Sequence, residues 1–212
     1  LTKTDQQNWN SFFASQTEKS WDALYRFALS LTRNEPEAED LVQQTLLKAL
    51  TGLSTFFKTN YQIESPQAAI DLAHRIEPAI LEHHLLNWMM KIAKNSFLDN
   101  INRSSRRLTH VPLDEWNESE AASVSQTSGS HAEQGRISSQ SLAQMEDEFF
   151  NQALDDDWLR KFETLNAKQR SVLFLAAEDY SYKEISQLLD IPLGTVMSTL
   201  NRAISKLKKS AK

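Results

Sequence analysis

Ser181-Tyr-Lys-Glu-Ile-Ser-Gln-Leu-Leu-Asp-Ile-Pro-Leu-Gly-Thr-Val-Met-Ser-Thr-Leu-Asn-Arg-Ala203 is the stretch that decides how this chain folds. Ser181 followed three residues later by Glu184 is a capping box, in which each side chain satisfies a backbone N–H at a helix start. Ile185, Leu188 and Leu189 then give that helix one apolar face. Asp190 to Gly194 supply a short turn, and Val196, Leu200, Ala203, Ile204 and Leu207 recur as the buried stripe of a second helix. Two short helices joined this way form a helix-turn-helix. The other face of the second helix carries Thr195, Ser198, Thr199, Asn201, Arg202, Ser205 and Lys206, with Lys208 and Lys209 beyond. Small polar groups early in such a helix approach base edges, and Arg and Lys further along suit phosphates. A solvated surface helix pair is the plainer alternative; the capping box, the short turn and the Pro-x-Gly-Thr-Val entry together favour DNA.

Working outward, the 212-residue chain has a formal net charge of −5, which looks wrong for a DNA-binding protein until it is divided. Residues 1–84, 85–110, 111–165 and 166–212 carry net −4, +4, −9 and +4. Two basic blocks around an acidic one point to two nucleic-acid contacts joined by a segment that avoids nucleic acid or imitates it. There is no Cys, which removes disulfides, thiolate metal sites and cysteine nucleophiles. The four Gly form no phosphate-binding loop, so nucleotide-driven chemistry is not expected, and neither is a cofactor. No run of about 18 apolar residues and no signal sequence is visible, so the expectation is a cytoplasmic protein without membrane insertion.

Helical periodicity fills most of the remainder. Trp21, Leu24, Tyr25, Ala28 and Leu31 define one helix, and Ala38, Leu41, Val42, Thr45, Leu46, Ala49 and Leu50 a second, opened by Asn34, Glu35 and Pro36. Thr51 to Asn60 reads as a break. Ser65-Pro66 opens a further run through Ala69, Ile70, Ala73 and Ile76, and Pro78 reads as a kink or restart. A long helix is expected from about Leu85 to Arg103. Residues from about Pro112 to Gln140 are rich in Ser, Glu and Gln and read as a mobile linker. Helical spacing returns from Leu142, with a new start at Asn166. The fold class expected is all-α, two small helical domains at residues 5–108 and 145–212 joined by a flexible acidic linker at 109–144.

Leu165-Asn-Ala-Lys-Gln-Arg-Ser-Val-Leu-Phe-Leu175, Tyr180-Ser-Tyr-Lys-Glu-Ile185 and Ile191-Pro-Leu-Gly-Thr-Val196 resemble domain 4 of the extracytoplasmic-function (ECF) sigma factors of the sigma-70 family. The same family is resembled again by Glu35-Pro-Glu-Ala-Glu-Asp-Leu-Val-Gln-Gln-Thr-Leu-Leu-Lys-Ala-Leu50 and by Leu86-Asn-Trp-Met-Met-Lys-Ile-Ala-Lys-Asn-Ser-Phe-Leu-Asp-Asn-Ile101, which look like the polymerase-binding and promoter-melting parts of domain 2. The resemblance implies a protein that binds core RNA polymerase, directs promoter recognition and initiation, and catalyses nothing. Its implied partners are the β′ clamp coiled coil, the β flap and promoter DNA, with control by an anti-sigma protein left open.

On the helix after Pro36, Asp40, Gln43, Gln44 and Leu47 lie off the apolar stripe, an exposed Leu among polar groups that suits a protein partner; by resemblance they meet the clamp. On the later helix Lys91, Asn95, Leu98 and Asn102 share one side, with Lys94, Arg103, Arg106 and Arg107 near it. By resemblance this surface holds single-stranded DNA of the −10 element, amides bonding base edges and cations the backbone. Thr195, Ser198, Thr199, Asn201, Arg202 and Lys206 would meet the −35 element. Met197 and Thr199 stand where the family often has basic residues, and Gln44 where it often has an acid. The segment from about Phe56 to His84 is longer than the family's connection and falls beside the loop that holds a flipped base, a pocket that Phe56 or Phe57 would line. Its His74, Glu77, Glu82, His83 and His84 invite a metal reading, against which a solvated polar face is the better expectation. Two rivals remain: a stand-alone helix-turn-helix regulator and a metal-dependent nucleic-acid hydrolase.

Overall fold

The computed structural model describes residues 3–107, 162 and 164–209, and among them the regular elements are helices without a strand. The linker expected at 109–144 lies outside the described residues, as does most of the helical spacing after Leu142. The chain divides into two units, Leu1–Ser104 and Ser105–Lys212.

In the first unit α1 (Lys3–Thr32) and α2 (Glu35–Tyr61) pair closely, α3 (Pro66–Ala73) rests on α1, and α4 (Pro78–Arg107) completes the set. Asn34 caps α2, its side chain accepting from the Glu37 N–H at 2.9 Å, and Pro36 sits in the first turn, where no N–H partner is needed. Glu35 and Glu37 in that turn face the positive end of the helix dipole. Ser65 caps α3 in the same way.

The break expected from Thr51 to Asn60 is not there: α2 runs on to Tyr61. Gly52, Ser54 and Thr55 weaken the local helix preference, but Leu53, Phe56 and Phe57 are buried and packing outweighs propensity. Gly52 serves close approach, because a Cβ there would lie 3.2 Å from the Trp88 ring. Pro78 proves to be a restart, so α4 begins seven residues before the expected Leu85.

Aromatic rings tie these helices together. Phe57 lies 5.8 Å from Trp9, 6.1 Å from Phe12 and 5.3 Å from Phe56 between ring centres, and Phe56 lies 4.9 Å from Trp88. Offset and edge-on pairs of this kind add to the area they bury. Phe56 and Phe57 are therefore core residues at 3% and 1% exposure, not the lining of an open base pocket. Trp21, placed by the sequence on an apolar stripe, is 41% exposed. It falls one residue after Ser20, outside the buried series Phe13, Thr17, Ser20, Leu24 and Phe27.

In the second unit α5 (Ala167–Ala177), α6 (Tyr182–Leu189) and α7 (Leu193–Lys209) pack on one another. Asn166 and Gln169 form a capping box on α5, and Ser181 and Glu184 the expected one on α6. The Arg170 guanidinium donates to the Leu165 carbonyl, closing the entry to α5. Asp190 ends α6 in the left-handed conformation at φ 53°, which Asp tolerates better than most side chains. Val172, Leu175, Ile185, Leu189, Val196 and Leu200 are buried between the three helices.

Tyr180, just before the α6 cap, has its phenol pushed up to about 12, first by burial and then by Glu178 and Glu184. Its folded pKa lies above the unfolded value, so its contribution to stability is complete below about pH 10 and lost as pH rises toward 12. Alkaline melting of the second unit is expected to steepen across that window, and Tyr180→Phe is expected to flatten it in circular-dichroism melts.

Candidate polymerase and nucleic-acid interfaces

The recognition face of α7 is built by its register. Val196, Leu200, Ala203 and Ile204 turn inward, leaving Ser198, Asn201, Ser205 and Lys206 exposed and Thr195 and Arg202 half-buried. The Arg202 Nε donates to the Ser198 carbonyl at 3.2 Å, which folds the guanidinium back along its own helix. Lys206 Nζ donates to Gln169 Oε1 at 3.2 Å, so it also ties α7 to the α5 cap. Thr199 corrects the sequence reading: it is 2% exposed and does not belong to the outward face. It stands three residues after Val196 and four before Ala203, which on a helix places it beside the buried stripe.

On α4 Asn95 and Arg103 are exposed, and Lys91, Leu98 and Asn102 are half-buried, so these five form a side chain row open to one flank. The Arg106 side chain lies outside the described ones. Lys94, expected near this row, is 3% exposed and belongs to the interior. Ser96 is also buried and accepts from Lys48 Nζ at 2.8 Å, a bond that locks α4 to α2 and fixes the row relative to the α2 edge.

That edge is the clearest unfilled surface of the first unit. Asp40, Gln43, Gln44 and Leu47 are all exposed, and Leu47 reaches 67%. Residues 40, 43, 44 and 47 follow the three-and-four spacing of one helix face, so the four side chains are neighbours. Thr45 and Thr51, the hydroxyls near it, donate to the carbonyls of Leu41 and Leu47, at 2.7 and 3.1 Å, and Thr45 is fully buried.

Tyr61 Oη at the end of α2 and His84 Nδ1 on α4 are 2.7 Å apart, and on α4 itself Asn87 Nδ2 and His83 Nε2 are 2.9 Å apart. His74, Glu77, His83 and His84 are exposed. Among the described residues no group of three or more His, Cys, Asp or Glu side chains gathers to hold a metal ion. Nor is any described helix long and apolar enough to cross a membrane.

Two family models match in chain order: Sigma-70 region 2 over residues 19–61 and Sigma-70, region 4 over residues 156–207. The chain is 28% identical over 186 residues to the ECF RNA polymerase sigma factor EcfG of Rhodopseudomonas palustris, covering 87% of this chain and 77% of that protein. It is 25% identical over 189 residues to the ECF RNA polymerase sigma factor SigE of Mycolicibacterium smegmatis, covering 88% of this chain and 56% of that longer one. In fold it is similar, at a TM-score of 0.53 and 22% identity, to the sigma factor RpoE crystallised with the anti-sigma factor NepR from Bartonella quintana, over 93% of this chain and 95% of that one.

The chain belongs to the sigma-70 family, in its extracytoplasmic-function branch. Its function is that of an ECF sigma factor, association with RNA polymerase and selection of promoters. The region 2 match of this sigma factor contains the whole α2 edge and ends at Tyr61, the last residue of α2. The α4 row lies beyond it, and is read in the sequence from the Leu86–Ile101 motif and from the basic block at residues 85–110.

Proposed function

We propose that this sigma factor divides its work between two modules, residues 5–108 holding the polymerase and the −10 element and residues 145–212 holding the −35 element, with the acidic segment 109–144 between them. In this reading Asp40, Gln43, Gln44 and Leu47 dock on the clamp coiled coil of β′, and the second module meets the β flap. Lys91, Asn95, Leu98, Asn102, Arg103 and Arg106 hold the unpaired strand, while Thr195, Ser198, Asn201, Arg202 and Lys206 read and clamp the duplex. Strand opening follows from binding energy: an unpaired strand held by the α4 row favours the open state, and no catalytic group is called for. The place of action is the cytoplasm, where polymerase and chromosome are. A protein antagonist is part of the proposal, supported by the anti-sigma partner of the B. quintana relative.

The observation that carries it is the presence, in one chain, of an exposed α2 edge centred on Leu47 and a polar recognition face on α7. A stand-alone regulator has use for the second and none for the first. Core polymerase mixed with this chain and genomic DNA is expected to start transcripts at new positions, read by sequencing their 5′ ends. Failure of the core enzyme to capture the chain, or an unchanged set of start sites, overturns the proposal.

Within the duplex-reading face the side chains separate by chemistry. Asn201→Ala is expected to relax preference at one base position by about 1–3 kcal/mol, whereas Arg202→Ala weakens binding on all sequences alike and lowers its salt dependence. Competition binding of the holoenzyme to a library of promoter duplexes at two salt concentrations distinguishes the two.

A further inference from the structure

The first turn of α7 carries a side chain that the polar recognition face does not use. Leu193 is 48% exposed, although Val196, Leu200, Ala203 and Ile204 already supply the stripe that packs inward. Leu193, Met197, Asn201 and Ser205 follow one another at four-residue intervals and so form a single ridge along the helix. Met197 is half-buried, and Asn201 and Ser205 are exposed, so the ridge begins apolar and ends polar. Gly194 keeps its base open. A Cβ added there would meet nothing within 4 Å, so no internal packing calls for a bare Cα beside Leu193.

An apolar side chain among hydrogen-bonding groups on a groove-reading helix has one complementary feature on the major-groove edge of DNA, the 5-methyl group of thymine. We infer that Leu193 is a specificity-determining residue that packs on a thymine 5-methyl in the upstream promoter element, with Met197 flanking the same base step. The inference rests on the promoter-binding reading above and adds a base preference to it. The expected element places thymine where the start of α7 lies and is read further along by the Asn201 amide.

Deoxyuridine tests this directly, because it removes the methyl and leaves the pairing and hydrogen-bonding pattern of thymine unchanged. Holoenzyme made from core polymerase and the full chain is used to select its promoter, and each thymine of the upstream element is then replaced singly by deoxyuridine. At one position the wild type is expected to lose about three- to five-fold in affinity, the scale of one buried methyl. Leu193→Ala is expected to lose a similar factor on the thymine duplex and nothing more on the deoxyuridine duplex, since both changes remove the same contact. The inference is overturned if no position responds to deoxyuridine in the wild type, or if the selected element has no thymine. It is also overturned if Leu193→Ala weakens both duplexes equally or lowers capture by the core enzyme, which marks Leu193 as a protein contact. A holoenzyme that binds no promoter at all removes the promoter-binding reading itself, and this inference with it.

Discussion

Phe57→Ala is expected to lower the stability of the first unit by about 3–5 kcal/mol. The ring is 1% exposed and faces Trp9, Phe12, Phe56 and Tyr61, with centre separations between 5.3 and 6.1 Å. Its removal takes away buried area and leaves a hole that rings on separate backbone segments cannot all close. For a unit of about 100 residues the loss corresponds to a fall of roughly 15–25 °C in Tm. Phe57→Leu, which keeps most of the volume, is expected to cost about 1.5 kcal/mol. Differential scanning calorimetry resolves the first unit from the second, and the second transition stays in place. A loss for Phe57→Ala as small as that for Phe57→Leu would show that the ring cluster is loosely packed.

Leu47→Glu is expected to leave folding intact and to weaken capture by core polymerase at least about 30-fold, the effect of losing one central anchor of an interface. Leu47 is 67% exposed, so the substitution disturbs no packing within the chain. The damage is confined to the partner, where a carboxylate would have to lose its water without compensation. Thr59→Glu is the control: it is exposed on the same helix, three turns on, and adds the same charge. Equal loss in both variants would mean that net charge, and not the Leu47 edge, governs assembly. A melting temperature unchanged by Leu47→Glu completes the argument.

The parts of this structure that were legible in the sequence are those fixed by neighbours close along the chain. Ser181 with Glu184, Asn34 before Glu35 and Pro36, and Ser65 before Pro66 each start a helix through local hydrogen bonds, and each helix begins where those residues stand. The α2 edge was legible because Asp40, Gln43, Gln44 and Leu47 are defined by their angle to an apolar stripe on the same helix. What was misread depends on partners distant in the chain. The stretch Thr51–Asn60 has the composition of a break, and it is helical because Trp88 covers Gly52 and packs on Phe56. Thr199 is a different case: it is polar and so was placed outward, although its register three residues after Val196 and four before Ala203 sets it beside the buried stripe of its own helix. Lys94 misled in the same way, since a charged side chain is seldom 3% exposed.

The unbroken course of α2 has a mechanical consequence. A helix without a Pro kink or an inserted turn bends little, and at 1.5 Å per residue Leu47 and Phe57 are separated by about 15 Å of stiff rod. The ring cluster around Phe57 and the exposed edge at Leu47 therefore belong to one stiff piece, and a displacement of the first is shared by the second.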